Sequence, residues 1–414
     1  MKNEILQNID KPRALEQLYR RDKLAFKKAF NILYPEHQSH PNFQFWDLRL
    51  NFSGDGLNLG DKKDLWFLLI ITLIAGLIAN ISNLRNIHAA LFFTRNTAFI
   101  IIPFISAYFL KKQRINRSKW IAVVTTFLVA AIYINLIPDL PQSSSIKLAY
   151  IHLPIFLWTV LGYSYLGKSP LDYEKRINFL KYNGDLIIMV AIIVLSCFLF
   201  TAITFGLFQL IGYKIEEFYM KHIAIWAIAG IPIFATYLIN NNPNIINKVS
   251  PIIAKIFTPL VFINLAVYLI TLIYAGKYPY NDRTLLLIYN ALLVGVLALI
   301  FFSVAESETR TKNNYKTVLL LGLSVLTIIV NAIALSAISF RIVELGITPN
   351  RIAVLGGNIF IFIHLIIVAY TLLNVLRNKC ESSAIENSIA KYLPVYAVWT
   401  GVVAFLFPLL FSLK

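Results

Sequence analysis

A serine and a histidine come closest to a catalytic pair in this chain. Ser324 follows Gly322 and Leu323 in one apolar run, and His364 lies in the next apolar run. Nucleophilic catalysis needs the hydroxyl and the imidazole within hydrogen-bonding reach, with oxyanion donors beside them. Ser324 falls nearer the end of its run than His364 does, and no oxyanion-hole sequence accompanies it. We therefore predict no catalytic residue and no enzymatic activity.

His364 also belongs with two polar residues of the preceding run. Thr327 and Asn331 fall at about the depth of His364 if the two runs are antiparallel helices. A neutral imidazole in a membrane can relay protons or hold a ligand. Hydrogen bonds from His364 to Asn331 or Thr327 would instead satisfy all three groups as packing contacts, and this interpretation is favoured. The pattern predicts an intramembrane polar seam.

Between these runs lies the most distinctive motif of the sequence, Arg341-Ile-Val-Glu344-Leu-Gly346-Ile-Thr348-Pro349-Asn350-Arg351. Gly346 allows the positive φ that commonly ends a helix. Thr348 suits the N-cap of the next helix, and Pro349 suits its first position. We expect a tight turn between two antiparallel helices.

The charged residues of this motif suggest a second role. Arg341, Glu344 and Arg351 either form one salt-bridged cluster or leave a guanidinium free for a phosphate or carboxylate. Arg85 and Arg95 are predicted on the same side of the membrane. Together these residues form the hypothetical ligand-binding site, whose ligand would be an anionic lipid or a small anion.

The elements that carry these residues are apolar runs. The chain is 58% hydrophobic and 14% charged, whereas soluble domains have about a quarter charged residues. A helix needs about 20 apolar residues to cross a bilayer. Such runs lie at 65–84, 94–110, 120–138, 147–166, 184–212, 221–240, 251–275, 284–305, 317–340, 352–376 and 393–413. We predict an all-α polytopic transmembrane helix bundle of about eleven spans, with residues 1–64 as an N-terminal segment and 65–414 as the transmembrane domain.

Basic residues predict the orientation of these spans. The loops on the N-terminal side carry 28 Lys and Arg residues, and those on the other side carry 10. The positive-inside rule then places the N-terminus in the cytoplasm and the C-terminus outside. The net charge of +17 is explained by this bias, so no nucleic-acid partner is predicted.

The N-terminal segment has amphipathic helical patterns of its own. Asp10 and Asp22 can each cap a helix, and Phe26 and Phe30 align on one face near the basic Lys27. Such a hairpin is expected to lie on the anionic inner leaflet or on its own membrane domain. The alternative is a docking site for a cytoplasmic protein that uses Phe26, Lys27 and Phe30.

Other chemistry receives little support. Cys197 and Cys380 are too few and too far apart for a disulfide framework or a zinc site. No Asp or Glu lies near the middle of a span, and Asp185 and Glu306 fall at span ends. Coupling through a carboxylate deep in the membrane is therefore not favoured, and neither a cofactor nor a metal is predicted.

The motif with Glu344, Gly346, Thr348 and Arg351, together with the N-terminal helices and the span pattern, resembles a bacterial multi-pass membrane family of unknown function, domain of unknown function 4153. A sister group shares a similar Glu-x-x-Gly-Leu-Thr-x-x-Arg signature, although only one residue separates Glu344 from Gly346 here and Ile347 replaces the leucine. The resemblance implies a bacterial inner-membrane location and no known activity.

Two functions remain open. The first is a carrier or lipid- and anion-handling protein of the bacterial cell envelope, with membrane lipids as partners. The second is a non-catalytic sensor or scaffold whose N-terminal hairpin docks a cytoplasmic protein. Large polytopic bundles most often transport something, so the first function is favoured.

Overall fold

The chain forms two compact units, Met1–Leu59 and Gly60–Lys414. The computed structural model describes residues 1–51, 61–81, 89–210, 215–242, 254, 257–263, 265–267, 269–270, 283–306 and 314–412. Every regular element in these ranges is a helix, so the predicted all-α class is confirmed. The predicted boundary between residues 64 and 65 lies in the first turn of a helix that begins at Lys62.

The N-terminal unit contains four helices: α1 (Lys2–Gln7), α2 (Pro12–Arg21), α3 (Lys23–Leu33) and α4 (Pro41–Asn51). The Asp22 carboxylate accepts a hydrogen bond from the backbone N–H of Ala25 at 2.9 Å, which confirms its predicted capping role. The prediction for Asp10 was wrong. Lys11 is the N-cap of α2, and the Asp10 carboxylate lies 3.1 Å from His40 instead.

Aromatic residues build the core of this unit. Phe26 and Phe30 are 0% and 1% exposed. The ring of Phe26 lies 4.9 Å from that of Trp46, and the ring of Phe30 lies 4.9 Å from that of Phe43. The apolar faces of the helices therefore cover one another. The rings of Phe26 and Phe30 are buried in this core, and the docking of a cytoplasmic protein on the N-terminal hairpin stays a prediction.

The second unit contains ten further helices that we number here. They are α5 (Lys62–Ala79), α6 (Ala89–Lys112), α7 (Arg117–Leu136), α8 (Ser144–Leu166), α9 (Tyr173–Leu210), α10 (Glu216–Asn241), α11 (Arg283–Ala305), α12 (Asn314–Leu345), α13 (Pro349–Leu376) and α14 (Ser383–Leu410). The turn between α12 and α13 follows the prediction: Gly346 has a φ of +78°, Thr348 is the N-cap, and Pro349 begins α13.

Eight described helices are long and apolar enough to cross a membrane: α6, α7, α8, the Tyr173–Phe198 part of α9, α10, α12, α13 and α14. The other three predicted spans fall on α5, whose first turn is charged, and on the shorter apolar helices Phe257–Val267 and Tyr289–Ala305. The chain is thus a multi-pass helical protein by length and composition, and the count of eleven stays a prediction.

Helix α9 joins two groups of helices through its opposite faces. Ile177 and Leu180 pack in a core with residues of α11, α12, α13 and α14. Phe179 and Tyr182 pack in another core with residues of α5, α6, α8 and α10. The start of α9 therefore lies where α8 and α14 also meet, and this junction positions the cavity described below.

Candidate functional site

Two members of the predicted polar seam form separate hydrogen bonds. Thr327 and Asn331 are fully buried. The Thr327 hydroxyl donates to the carbonyl of Leu323 in its own helix at 2.6 Å. The Asn331 side chain donates to the backbone carbonyl of Asn358 at 3.1 Å, and Asn358 donates to the Asn290 side chain at 2.9 Å. These bonds link α12, α13 and α11, so both residues contribute to helix packing.

His364 is the third member of the seam and is fully buried. Its Nδ1 lies 2.9 Å from the hydroxyl of Tyr396, and its ring stacks on Tyr392 with 4.3 Å between centroids. The predicted hydrogen bond to Asn331 or Thr327 is not formed, because tyrosines of α14 reach the imidazole instead. Among the described residues, Nε2 of His364 and the Ser324 hydroxyl have no hydrogen-bond partner, so the two do not form a catalytic pair.

The predicted cluster of Arg341, Glu344 and Arg351 is not formed either. No ion pair of the described residues includes any of the three. The Arg351 guanidinium donates instead to the carbonyls of Leu345 and Gly346, at 2.7 and 2.6 Å. Carbonyls at a helix C-terminus lack intrahelical donors. Arg351 therefore completes the end of α12, while Glu344 is exposed.

Arg95 has the same role at another helix end. Its guanidinium donates to the carbonyl of Ile137 at 2.9 Å, to that of Asn135 at 3.4 Å and to the Tyr150 hydroxyl at 3.1 Å. These carbonyls lie at the C-terminus of α7, so Arg95 caps this helix. Arg85 lies outside the described residues. The described contacts thus give Arg95 and Arg351 structural partners and do not assemble the predicted anion site.

A cavity of about 450 Å³ lies between α7, α8, α14 and the start of α9. Its walls are mostly aliphatic and aromatic, and its polar lining residues include Thr126 and Thr159. Their hydroxyls donate to carbonyls of their own helices, those of Ala122 and Phe156, at 2.9 and 2.7 Å. These hydroxyl protons are already engaged, so the cavity suits an apolar ligand.

One wall of the cavity carries Arg176, held by two backbone carbonyls. Pro394 in α14 has no N–H, so it leaves the carbonyl of Ala390 without its intrahelical donor. Arg176 donates to this carbonyl at 3.0 Å, and it donates twice to that of Pro170, at 3.2 and 2.9 Å. Pro394 thus frees one of the two carbonyls that fix the guanidinium beside the cavity, and Pro170 supplies the other.

Lys119 is a second cation, and its ammonium contacts a residue that lines the cavity. Gly167 ends α8 with a φ of +62°, and its carbonyl accepts a hydrogen bond from the Lys119 ammonium. The ammonium also lies 3.6 Å from the ring centroid of Tyr163, which lines the cavity. Sequence reasoning did not find Lys119 or Arg176. The available signals were a glycine just after one apolar run and a proline inside another.

A second cavity, of about 560 Å³, lies between the end of α13 and the start of α14. Its lining is more polar and includes Asn374, Asn387, Lys391 and Tyr392. Since Tyr392 also stacks on His364, this cavity is separated from the buried histidine by one aromatic ring. Its mixed lining indicates no particular class of ligand.

Glu306 follows the last residue of α11 and is 6% exposed. Its carboxylate lies 3.7 Å from the Lys181 ammonium. Burial raises the pKa of Glu306 above the usual value, and this effect outweighs the opposing attraction of Lys181. Glu306 is thus a buried acid at the end of a helix, consistent with its predicted position.

Comparisons of the chain with protein-family models, curated proteins and solved structures found no match. The resemblance to domain of unknown function 4153 stays a prediction. No activity is transferred from a relative, and the cavity with its two cations is the feature from which a function can be proposed.

Proposed function

We propose that this protein binds a membrane lipid between its helices and handles lipids in the bacterial inner membrane. The observation that supports the proposal is the apolar cavity of about 450 Å³ between α7, α8, α9 and α14. All four helices are long and apolar enough to cross a membrane. In such a bundle, the solvent next to the cavity is the lipid bilayer itself.

The chemistry of the cavity supports an acyl chain as the occupant. A polar solute loses its hydrogen bonds to water when it enters an apolar site and is destabilised unless the site replaces them. The hydroxyls of Thr126 and Thr159 already donate to their own helices. An alkyl chain needs no such partners, and the volume is in the usual range of about 300–1,000 Å³ for ligand pockets.

The rim of the cavity supports entry from the side. Ala122 lines the cavity and is exposed. Its neighbours Ile121 and Val124 are 57% and 45% exposed, so this part of α7 faces away from the protein core. Leu171, on the rim, is 78% exposed. A chain could move from the bilayer into the cavity between α7 and the start of α9.

The proposal includes about eleven spans and a cytoplasmic N-terminus. The excess of Lys and Arg in the loops of the N-terminal side supports this orientation. With Cys197 and Cys380 replaced by alanine, cysteine substituted for Lys2 should react with an impermeant maleimide in inverted membrane vesicles and stay unlabelled in right-side-out vesicles. The reverse labelling pattern would overturn the orientation.

Native mass spectrometry of the detergent-purified protein tests the lipid-binding function. We expect one phospholipid to remain bound to the wild type and Ala122→Trp, which fills the cavity, to lose about nine-tenths of it. Val124→Trp adds the same side chain two residues away, outside the cavity lining, and should retain the lipid. Equal lipid retention in wild type and Ala122→Trp would overturn the proposal.

A further inference from the structure

We infer that the bound lipid is an anionic glycerophospholipid, with one acyl chain in the cavity and its phosphate between Lys119 and Arg176. This inference rests on the proposed function and specifies the class of lipid. The observations that carry it are the donors on the two cations, their location at the cavity, and their lack of acidic partners.

Arg176 retains donors after its contacts with the protein are counted. A guanidinium has five N–H donors. Three hydrogen bonds go to the carbonyls of Pro170 and Ala390, which leaves two N–H groups. The backbone carbonyls hold the planar group in place beside the cavity, so a phosphate oxygen would meet an arginine that is already ordered.

Lys119 offers a second set of donors. Its ammonium has three N–H groups, and one hydrogen bond goes to the carbonyl of Gly167. The contact with the ring of Tyr163 places the ammonium against a residue that lines the cavity. Lys119 lies about one helical turn before Ala122, which lines the cavity, so a headgroup that stays outside when a chain enters would be near its ammonium.

The charge of this pair favours an anionic headgroup. Lys119 and Arg176 take part in no ion pair among the described residues. The nearby Asp172 carboxylate accepts a hydrogen bond from the backbone N–H of Lys175, as a helix cap, at 3.2 Å. Carbonyl dipoles hold the two cations without cancelling their charge. Two positive charges attract a phosphate and repel the ammonium of a zwitterionic headgroup.

Lys391 strengthens the positive field. Its ammonium lies 5.5 Å from the centroid of the Tyr173 ring, and the guanidinium carbon of Arg176 lies 5.6 Å from the same centroid. Lys391 lines the second cavity, and the Tyr173 ring places it near Arg176. Basic pockets between membrane helices on the cytoplasmic side are known to bind anionic headgroups, and the predicted orientation puts these residues on that side.

Competition between two lipids tests the inference. The purified protein is exchanged into micelles with equal amounts of phosphatidylglycerol and phosphatidylcholine of identical chains, and bound lipid is counted by native mass spectrometry. We expect the wild type to prefer phosphatidylglycerol. Lys119→Gln and Arg176→Gln should each reduce this preference about fivefold. Arg117→Gln, an exposed neighbour on α7, is the matched control and should leave it unchanged.

The outcomes separate the inference from the function on which it rests. An unchanged preference in both glutamine variants, with lipid lost only in Ala122→Trp, would overturn the inference of an anionic headgroup. Lipid binding in the cavity would then still be supported. Lipid retained in Ala122→Trp would overturn the proposal that the lipid binds in the cavity. Inorganic phosphate at millimolar concentration should not displace the lipid, and displacement would show a site for free anions instead. Arg176→Lys should restore most of the preference, because it retains the charge.

Discussion

The cations of the N-terminal unit and those beside the cavity differ in the groups that accept their hydrogen bonds. In the N-terminal unit, Arg21 lies 2.8 Å from Glu4, and Arg49 lies 2.7 Å from Glu16. Beside the cavity, Lys119 and Arg176 donate to backbone carbonyls. A carbonyl orders a cation without cancelling its charge, whereas a carboxylate does both.

This difference shows why the number of basic residues is a poor guide to an anion site. Arg95 and Arg351 are two of the five predicted ligand-binding residues, and each completes a helix C-terminus. Arg176 also binds carbonyls, but it lines a cavity. An anion site needs both an unneutralised cation and a space for the ligand, and neither can be counted in a sequence.

The largest expected effect comes from breaking the core that keeps the N-terminal cations near their acidic partners. Phe30→Ala should lower the stability of this unit by about 3–5 kcal/mol, because a fully buried ring is removed. Cleavage within residues 1–51 of the full chain by dilute trypsin measures it. Ile32→Ala, at a position 57% exposed on the same helix, should be cleaved like the wild type. Equal cleavage of Phe30→Ala would contradict the buried core.

A carboxylate placed at the cavity should neutralise a cation there, as the glutamates do in the N-terminal unit. Ala122→Glu puts an acid three residues after Lys119, where the two side chains can pair on one helix face. We expect the phosphatidylglycerol preference to fall about tenfold, or about 1.4 kcal/mol. Ala122→Gln has the same size without the charge and serves as the control. An equal loss in both variants would attribute the effect to side-chain volume.

A smaller effect is expected at the predicted arginine site. Arg351→Ala removes two hydrogen bonds to the end of α12 and should cost about 1 kcal/mol of stability, because the guanidinium is partly exposed to solvent. Thermal unfolding in detergent measures this loss. The lipid seen by native mass spectrometry should be the same as in the wild type. A bound lipid or anion that disappears in Arg351→Ala would restore the predicted outer site.

The smallest effect is a pH dependence of the N-terminal unit. Hydrogen bonds from the N-terminal ammonium and Arg21 lower the pKa of Glu4 from 4.5 to about 2. Because the pKa is lower in the folded state, the ion pair stabilises the unit above about pH 4.5, and this contribution is lost as the pH falls towards 2. Pepsin should cleave Glu4→Gln faster than the wild type at pH 4.5, and the two rates should converge near pH 2. A constant ratio would contradict the shift.

For the polar seam, the sequence predicts which residues are buried but not which partners they bind. Thr327, Asn331 and His364 were expected at similar depth, and all three are fully buried. Their partners were not predicted, because the Tyr396 hydroxyl and the Asn358 carbonyl come from elements whose position depends on helix rotation. Periodicity indicates that a polar group is inside, and packing decides which group it meets.

The sequence by itself determined the helical membrane class, because apolar runs of sufficient length have few other stable structures. It also determined local features, such as the Gly346 turn and the Thr348 cap, since these depend on neighbouring residues. The tertiary structure alone decided that Pro394 leaves a carbonyl for Arg176 and that a cavity lies beside it. Such a site joins residues far apart in the chain, and only the packing of the helices brings them together.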